Sequence, residues 1–133
     1  MIEMLGDLLR AIFGLITKGD LELAGKELNE AYLTLLRKDA GFFQQIPADK
    51  LTTTLLADHH YTHSHLEILA GLFYAEARLR EAAGNTAGSR EFYEKSLKLF
   101  MFTLDHDRTY SPERQEKIEW IRKRLSESRN MQT

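Results

Sequence analysis

The sequence predicts an all-α fold, and three observations support this prediction. Only two prolines and eight glycines interrupt the 133 residues. Valine is absent, and no segment alternates β-branched with polar residues as a half-buried strand does. Apolar residues instead recur at intervals of three and four along most of the chain, which is the spacing of one face of a helix. We therefore expect a single helical domain over residues 1–126, followed by a flexible tail over residues 127–133.

Composition excludes several functional classes. The chain contains no cysteine, which rules out disulfides, thiolate zinc sites, iron–sulfur clusters and a cysteine nucleophile. The net charge of −2 provides no field that would draw the protein to nucleic acid or to a membrane surface. The sequence shows neither a basic leader nor an apolar run of about 20 residues, so we predict no secretory signal and no membrane span. The expected location is the cytoplasm.

The first two predicted helices form a hairpin. Residues 1–17 carry a stripe of apolar side chains at helical spacing, namely Ile2, Leu5, Leu9, Ile12 and Ile16. A turn follows at Lys18–Asp20. The second helix, residues 21–38, has one apolar face formed by Ala24, Leu28, Ala31 and Leu35. The connection is short, so the two helices are expected to be antiparallel neighbours.

The segment after this hairpin, residues 39–48, is the least regular part of the chain. It contains Phe42, Phe43 and Ile46, which we expect to fold under the helices as a plug rather than to form a recognition surface. Asp49 follows a proline and is the expected cap of a short linker helix at about residues 51–57. The linker then runs on, or bends, through residues 58–63 into the central hairpin.

The first helix of the central hairpin, residues 66–83, organises the rest of the chain. It carries two apolar stripes, which predicts a helix covered on two sides. The stripes are Leu66, Leu69, Ala70, Phe73 and Ala77, and Ile68, Leu72, Ala75 and Leu79. Gly84 is expected to end this helix in the left-handed conformation, and Asn85 or Thr86 to cap the next one.

The second helix of the central hairpin covers residues 87–105. Its inward face includes Phe92 and Phe100, and the small Ser96 between them lets a neighbouring helix approach closely. Glu91 and Lys95 lie four residues apart, and we expect them to form an ion pair on the solvent side.

A last helix is predicted to cover the open end of the helical stack. Ser111, Pro112 and Glu113 form a strong helix start, with a capping serine, a proline in the first turn and an early carboxylate. The helix is expected to run to about Ser126, with an inward stripe of Ile118, Ile121 and Leu125. Its basic residues alternate with glutamates, so a surface that tracks nucleic-acid phosphates is not expected.

The central hairpin resembles a tetratricopeptide (TPR) repeat. The resemblance lies in the run FYEKSLKLF and in Gly84-Asn85, Ser89, Tyr93 and Ser96, which match the turn and second helix of the repeat. Its first helix departs from the pattern, because Glu76 and Arg80 stand where the repeat has an apolar and an aromatic residue. The first hairpin repeats the pattern: aligning Gly19 with Gly84 brings small residues together at both packing positions, at close to twice the ~34-residue TPR period.

From Leu66 to Ile121 the chain also resembles a bacterial family of small TPR-like proteins of unknown function, through LFYAEARLREAAGN, FYEKSLKLF and TYSPERQEKIEWI. The resemblance implies a TPR-like α-α superhelix of about six helices, including the linker helix and a C-terminal capping helix.

The same resemblance implies a protein–protein interaction or scaffold module rather than an enzyme. In such domains the first helices of successive hairpins line a groove that accepts a protein or peptide partner. By that analogy Phe73, Tyr74 and Arg80 are candidate groove residues, and Trp120 either packs on the preceding hairpin or marks a contact surface. An incomplete repeat stack could instead pair with itself, so a structural homodimer is an alternative.

A histidine-rich segment, DHHYTHSH at residues 58–65, supports a third hypothesis. On one helix His59 and His63 would be i,i+4, the spacing at which two imidazoles bind one divalent metal ion. His106 could supply a third ligand, giving a metal-dependent enzyme or sensor. The glutamate of the HExxH motif is absent, and histidines at a helix junction also serve as caps or face water. No other cofactor is expected, since no GxSxG, P-loop or GxGxxG pattern occurs.

Overall fold

The helical spacing of the sequence is realised as a layered stack of helices. The computed structural model describes residues 2–106 and 111–131, with side chains described for residues 5–105 and 111–127. Seven α-helices and no β-strand occur in these ranges, which confirms the all-α prediction. The helices are α1 (Ile2–Lys18), α2 (Leu21–Leu36), α3 (Ala40–Gln44), α4 (Leu51–Thr53), α5 (His63–Ala82), α6 (Thr86–His106) and α7 (Pro112–Met131).

Helix α5 is the centre of the fold, as its two apolar stripes predict. It packs against α6, α2 and α1, while α7 packs on the outer side of α6. Nearly every α5 residue from Leu66 to Ala77 is buried. No helix among the described residues is long and apolar enough to cross a membrane. The TPR-like superhelical arrangement itself stays a prediction.

Two small residues set how closely the helices approach α5. Ser96 of α6 is fully buried, and its hydroxyl donates to the Ala70 carbonyl at 2.7 Å, as the small residue at this position predicts. Gly71 faces α1, where an added Cβ would lie 3.3 Å from Leu9 Cδ1. A larger residue at Gly71 would therefore push α1 outward.

The predicted helix ends are mostly confirmed. Gly84 has φ +86° after α5, and the Asn85 side chain accepts from the Gly88 amide at 2.9 Å, so Asn85 is the cap rather than Thr86. The Ser111 hydroxyl accepts from the Arg114 amide at 3.3 Å at the start of α7. The prediction for Asp49 is wrong, because that residue lies inside the 3₁₀ turn Ala48–Lys50, which has no side-chain cap.

The C-terminal boundary also differs from the prediction. Helix α7 continues to Met131, past the expected end at Ser126, so residues 127–131 are helical rather than a flexible tail. The sequence from Arg122 to Met131 contains no proline or glycine, and nothing in it stops a helix.

The irregular segment between α2 and α4 folds under the helices as the predicted plug. Phe43 and Ile46 are buried, and Phe43 stacks on Tyr32 of α2 with ring centroids 6.0 Å apart. Phe42 is half-buried. The short helix α3 in this segment was not predicted. The Asp39 carboxylate caps this helix by accepting a hydrogen bond from the Phe42 amide at 2.9 Å.

Candidate interaction groove between α1 and α7

A groove runs between α1 and α7, with α5 at its floor. Its wider part has a volume of about 350 Å³ and is lined from α1 by Gly6, Leu9, Arg10 and Phe13, from α5 by Tyr74, and from α7 by Glu113, Glu116, Lys117 and Trp120. A narrower recess of about 70 Å³ shares several of these residues and reaches Gly71. Gly6, which has no side chain, borders both parts, and Gly71 borders the narrower recess.

One end of the groove is an aromatic cluster from three helices. The Tyr74 ring lies 5.5 Å from the Phe13 ring and 5.4 Å from the Trp120 ring, measured between centroids, in edge-to-face arrangements. Trp120 packs on Tyr93 of α6 as well, at 5.5 Å, yet keeps 36% of its surface exposed. A half-exposed tryptophan with one face fixed by packing is a typical anchor for a partner side chain.

Arg78 places a positive charge within this cluster. Its guanidinium lies 4.4 Å from the centroid of the Phe13 ring and 5.7 Å from that of Trp120. In the part of the chain that the structure describes, no carboxylate forms an ion pair with Arg78. Burial raises the pKa of the Tyr74 hydroxyl, and the positive charge of Arg78 opposes that shift. Arg78 is therefore a half-buried cation held by aromatic rings.

A second arginine fixes the position of Trp120. Arg124 lies 5.7 Å from the Trp120 ring centroid and pairs with Glu81 of α5 through two hydrogen bonds, from Nε at 2.8 Å and from Nη2 at 2.7 Å. These bonds to Glu81 raise the pKa of Arg124. The bidentate pair ties α7 to the end of α5 and keeps the wall of the groove in place.

The rim of the groove carries both signs of charge. Arg10 pairs with Asp7 on α1. Glu113 and Glu116 are exposed on α7, Lys117 is half-buried beside them, and none of the three forms an ion pair with another described residue. The groove thus combines an apolar end with charged groups that a polar partner can contact.

The four residues predicted to contact a partner do not all lie here. Tyr74 and Trp120 border the groove and contact each other. Phe73 is fully buried and packs on Phe92 at 5.2 Å, so it lines no surface. Arg80 lies over the ring of Phe92, away from the groove. The reason is geometric, because successive helical residues point about 100° apart.

Phe13 and Arg78 were not among the residues that the sequence predicted to contact a partner. A signal was present in the spacing, since Arg78 follows Tyr74 by four residues and Arg124 follows Trp120 by four. Residues four apart share a helix face. Two aromatic–arginine pairs on two helices therefore mark the surface that these helices share.

A buried polar cluster lies on the opposite side of α5 and holds the plug. Glu76 is 7% exposed and accepts hydrogen bonds from Gln44 at 2.7 Å, Arg80 at 3.1 Å and Tyr32 at 3.5 Å. Lys95 is also buried, contrary to its predicted place on the solvent side, and donates to the Gln44 carbonyl at 2.8 Å. Burial, and then the charge of Glu76, raise the pKa of Tyr32. The cluster is partly open to solvent at Arg80, whose side chain is 31% exposed, and it joins α2, α3, α5 and α6.

The proposed metal pair does not lie on one helix, so the premise of that hypothesis is wrong. The linker ends in a π turn, Thr54–Asp58, and non-helical residues separate this turn from the start of α5 at His63. The His59 ring packs on Phe42 at 4.9 Å, and the His63 ring stacks on Phe102 at 5.4 Å. Among the described residues, no three His, Asp or Glu side chains are placed to hold a metal ion.

The remaining histidine predictions concern a cap and a third ligand. His65 completes a capping box at the start of α5, where its Nδ1 accepts from the Thr62 amide at 3.1 Å. This agrees with the alternative reading of histidines at a helix junction. The side chain of His106, the predicted third ligand, lies outside the described residues.

The groove is bordered by Phe13, Tyr74 and Trp120, and Arg78 lies over the rings of Phe13 and Trp120. Comparisons with protein-family models, with curated proteins and with solved structures found no match to this chain.

Proposed function

We propose that this chain is a non-catalytic interaction module of the cytoplasm, which binds a peptide segment of another protein in the groove between α1 and α7. The observation that carries the proposal is Arg78, a half-buried cation beside the groove that lies over the rings of Phe13 and Trp120 and forms no ion pair with a described carboxylate. The peptide would place an apolar side chain against the aromatic rings and a carboxylate against Arg78.

Physical chemistry favours this pairing of groups. A charge-assisted hydrogen bond to a carboxylate is stronger where the surroundings limit access of water, and Arg78 is partly buried against two aromatic rings. Tryptophan, tyrosine and arginine are also the residue types most enriched in binding hot spots. The groove contains all three within one cluster, where Tyr74 and Trp120 are 5.4 Å apart.

The TPR resemblance supports the same surface. Helices α1 and α5 are the first helices of the two hairpins, and α7 follows the second hairpin. These three helices line the groove. In TPR-like domains the first helices form the surface that receives a partner, which is an analogy of fold and carries no information about the partner's identity.

The test is a peptide-display selection with the purified protein as bait, followed by titration of individual peptides. Trp120 is the only tryptophan, so its fluorescence reports directly on the groove. We expect the selected peptides to carry Asp or Glu within a few residues of a large apolar side chain. The variants R78A and W120A should each weaken binding by about tenfold or more, and calorimetry measures W120A because that variant contains no tryptophan.

Matched controls separate recognition from general charge or folding effects. Lys123 is exposed on α7, and K123A removes one positive charge without touching the groove, so its affinity should equal that of the wild type. Arg78→Lys keeps the charge but loses the planar stacking, so its affinity for the peptides should lie between those of the wild type and R78A. A selection without enrichment, or peptides that bind R78A and wild type equally, would contradict the proposal.

A further inference from the structure

The outer face of α2 carries exposed apolar residues that the interaction groove does not use. Leu33 is 52% exposed and Leu23 is 39% exposed. Lys26 and Glu30 lie between them and are exposed too. No other described helix packs over these four side chains, and neither Lys26 nor Glu30 forms an ion pair with a described residue.

The four residues have the spacing of a coiled-coil seam. Their positions advance by three, four and three residues, so they lie within an arc of about 80° on one side of α2. The order along the seam is leucine, lysine, glutamate, leucine. A second copy of this helix, running in the opposite direction, presents leucine, glutamate, lysine and leucine. Each charged residue of one helix then faces a residue of opposite charge on the other.

We propose that α2 is the interface of a homodimer, in which the α2 helices of two copies pair antiparallel about a two-fold axis. In this arrangement Leu23 faces Leu33 of the second copy, and Lys26 faces Glu30 of the second copy. The symmetry makes each contact occur twice, giving two leucine pairs and two ion pairs.

Charge complementarity selects a second copy over an unrelated partner. A different protein needs no particular order of charges on this face, whereas self-pairing requires the pattern to match its own reverse. The flanking positions obey the same rule, because Glu22 would face Thr34 and Glu27 would face Asn29, so like charges do not meet there. The face does not overlap the groove, which no α2 residue lines.

A single helix pair is smaller than the interfaces of most stable complexes, so the dimer is expected to be weak and reversible. A dissociation constant of about 10 to 500 µM fits an interface of this size. Sedimentation velocity of the full chain should therefore show a monomer–dimer equilibrium that shifts as the concentration rises from about 5 µM to about 1 mM. Leu33→Asp should leave only the monomer, with an unchanged circular dichroism spectrum, because residue 33 is exposed.

Charge exchange provides the decisive experiment. In a dimer of K26E, both facing pairs bring two negative charges together, and in a dimer of E30K both bring two positive charges together. Each variant should therefore weaken dimerisation by about tenfold or more. The double variant K26E/E30K restores opposite charges and should dimerise as the wild type does. A mixture of the K26E and E30K proteins should form a heterodimer, since every facing pair is then complementary.

Three outcomes would overturn the proposal. The first is a wild-type protein that stays monomeric up to about 1 mM, well above the expected dissociation constant. The second is a dimer that K26E and E30K leave unaffected, which would place the interface elsewhere. The third is a dimer that both single variants weaken and that the double variant does not restore. Peptide binding in the groove is a separate measurement, so failure of either proposal leaves the other intact.

Discussion

The hydroxyl of Tyr93 is the least favourably placed polar atom in the described core. Tyr93 is 2% exposed, and its hydroxyl has no hydrogen-bond partner among the described residues. Burying a hydroxyl without a partner costs about 1 to 3 kcal/mol. We therefore expect Tyr93→Phe to raise the free energy of unfolding by about 1 kcal/mol in urea titrations at pH 7.

Tyr32→Phe is the matched control, since Tyr32 is a fully buried tyrosine whose hydroxyl does have a partner. That hydroxyl lies 3.5 Å from a carboxylate oxygen of Glu76. Removing it should lower the free energy of unfolding by about 0.5 to 1.5 kcal/mol. Equal effects of the two substitutions, in sign and size, would show that hydrogen bonding does not distinguish the two sites.

Glu76 allows a comparison of buried and exposed ion pairs with the same residues and spacing. Glu76 and Arg80 are four residues apart on α5, with a nitrogen–oxygen distance of 3.1 Å, and the Glu76 side chain is 9% exposed. Arg90 and Glu94 have the same separation on α6 and a distance of 3.2 Å, but the Glu94 side chain is 50% exposed.

Glu76→Ala leaves Arg80, Gln44 and Tyr32 without their shared acceptor, so we expect it to destabilise the protein by about 2 to 4 kcal/mol. Glu94→Ala, the surface control, should cost less than about 0.5 kcal/mol. Chemical unfolding of both variants measures the difference. A loss for Glu76→Ala as small as that for Glu94→Ala would mean that water enters the cluster freely.

At the scale of the helix, α5 serves two sides of the molecule because its neighbouring residues point in different directions. Tyr74 lines the groove and Arg78 lies over the Phe13 ring at its edge, while Phe73 and Glu76 face the core and the plug. The polar cluster on one side thus orders the same helix whose other side forms the groove floor. Changes at Glu76 are therefore expected to affect stability before they affect binding in the groove.

Gly14 of α1 and Gly84 of the α5–α6 turn test whether backbone conformation or available space determines the energetic cost of adding a side chain. A Cβ added at Gly14 or at Gly84 would meet no atom within 4 Å. Gly84 has φ +86°, which alanine adopts only with strain, whereas Gly14 lies inside α1. We expect G84A to destabilise the protein by about 1 kcal/mol and G14A to stabilise it by about 0.5 to 1 kcal/mol.

Thermal unfolding followed by circular dichroism measures both variants under one condition. Opposite signs are expected, because the two substitutions add the same methyl group to open space and differ only in backbone conformation. If G84A were neutral, the α5–α6 turn would have to relax without cost.

At the scale of the whole molecule, the features that the sequence predicted are the local ones. Gly84, Asn85 and Ser111 end or begin helices through contacts within a few residues, and each acts as expected. Contacts between distant segments were not predictable in the same way. The burial of Lys95 depends on the Gln44 carbonyl, far away along the chain, and nothing in the spacing of α6 encodes that partner.

The interruption of the helix before α5, which separates the histidines, was also not predictable from the local sequence. His59 and His63 have a helical spacing in the sequence, but Tyr61 is drawn toward α2, where its hydroxyl donates to the Leu36 carbonyl at 2.6 Å. His60 adopts φ +59° to allow this bend. A tertiary contact thus overrides a local pattern, and the stacking of Arg78 on rings from two other helices was hidden for the same reason.

The stability of the whole molecule should fall steeply in alkaline solution. Burial raises the pKa of Tyr32, Tyr61, Tyr74 and Tyr93 above the ordinary value of 10.0. Above about pH 10 the unfolded chain releases these phenolic protons while the folded protein retains them, so the unfolded state binds fewer protons. The stabilisation is complete below pH 10 and is lost as the pH rises toward each folded-state pKa.

Each such tyrosine contributes a limiting slope of about 1.4 kcal/mol per pH unit, and the four together contribute at most about 5 kcal/mol per pH unit. Urea titrations at pH 7, 9, 10 and 11 should therefore give nearly constant free energies of unfolding up to about pH 9.5 and a sharp decline beyond. Tyr93→Phe removes one of the four groups and should reduce the slope above pH 10 by about a quarter. A free energy that stays level up to pH 11 would mean that these tyrosines ionise as readily in the folded protein as in the unfolded chain.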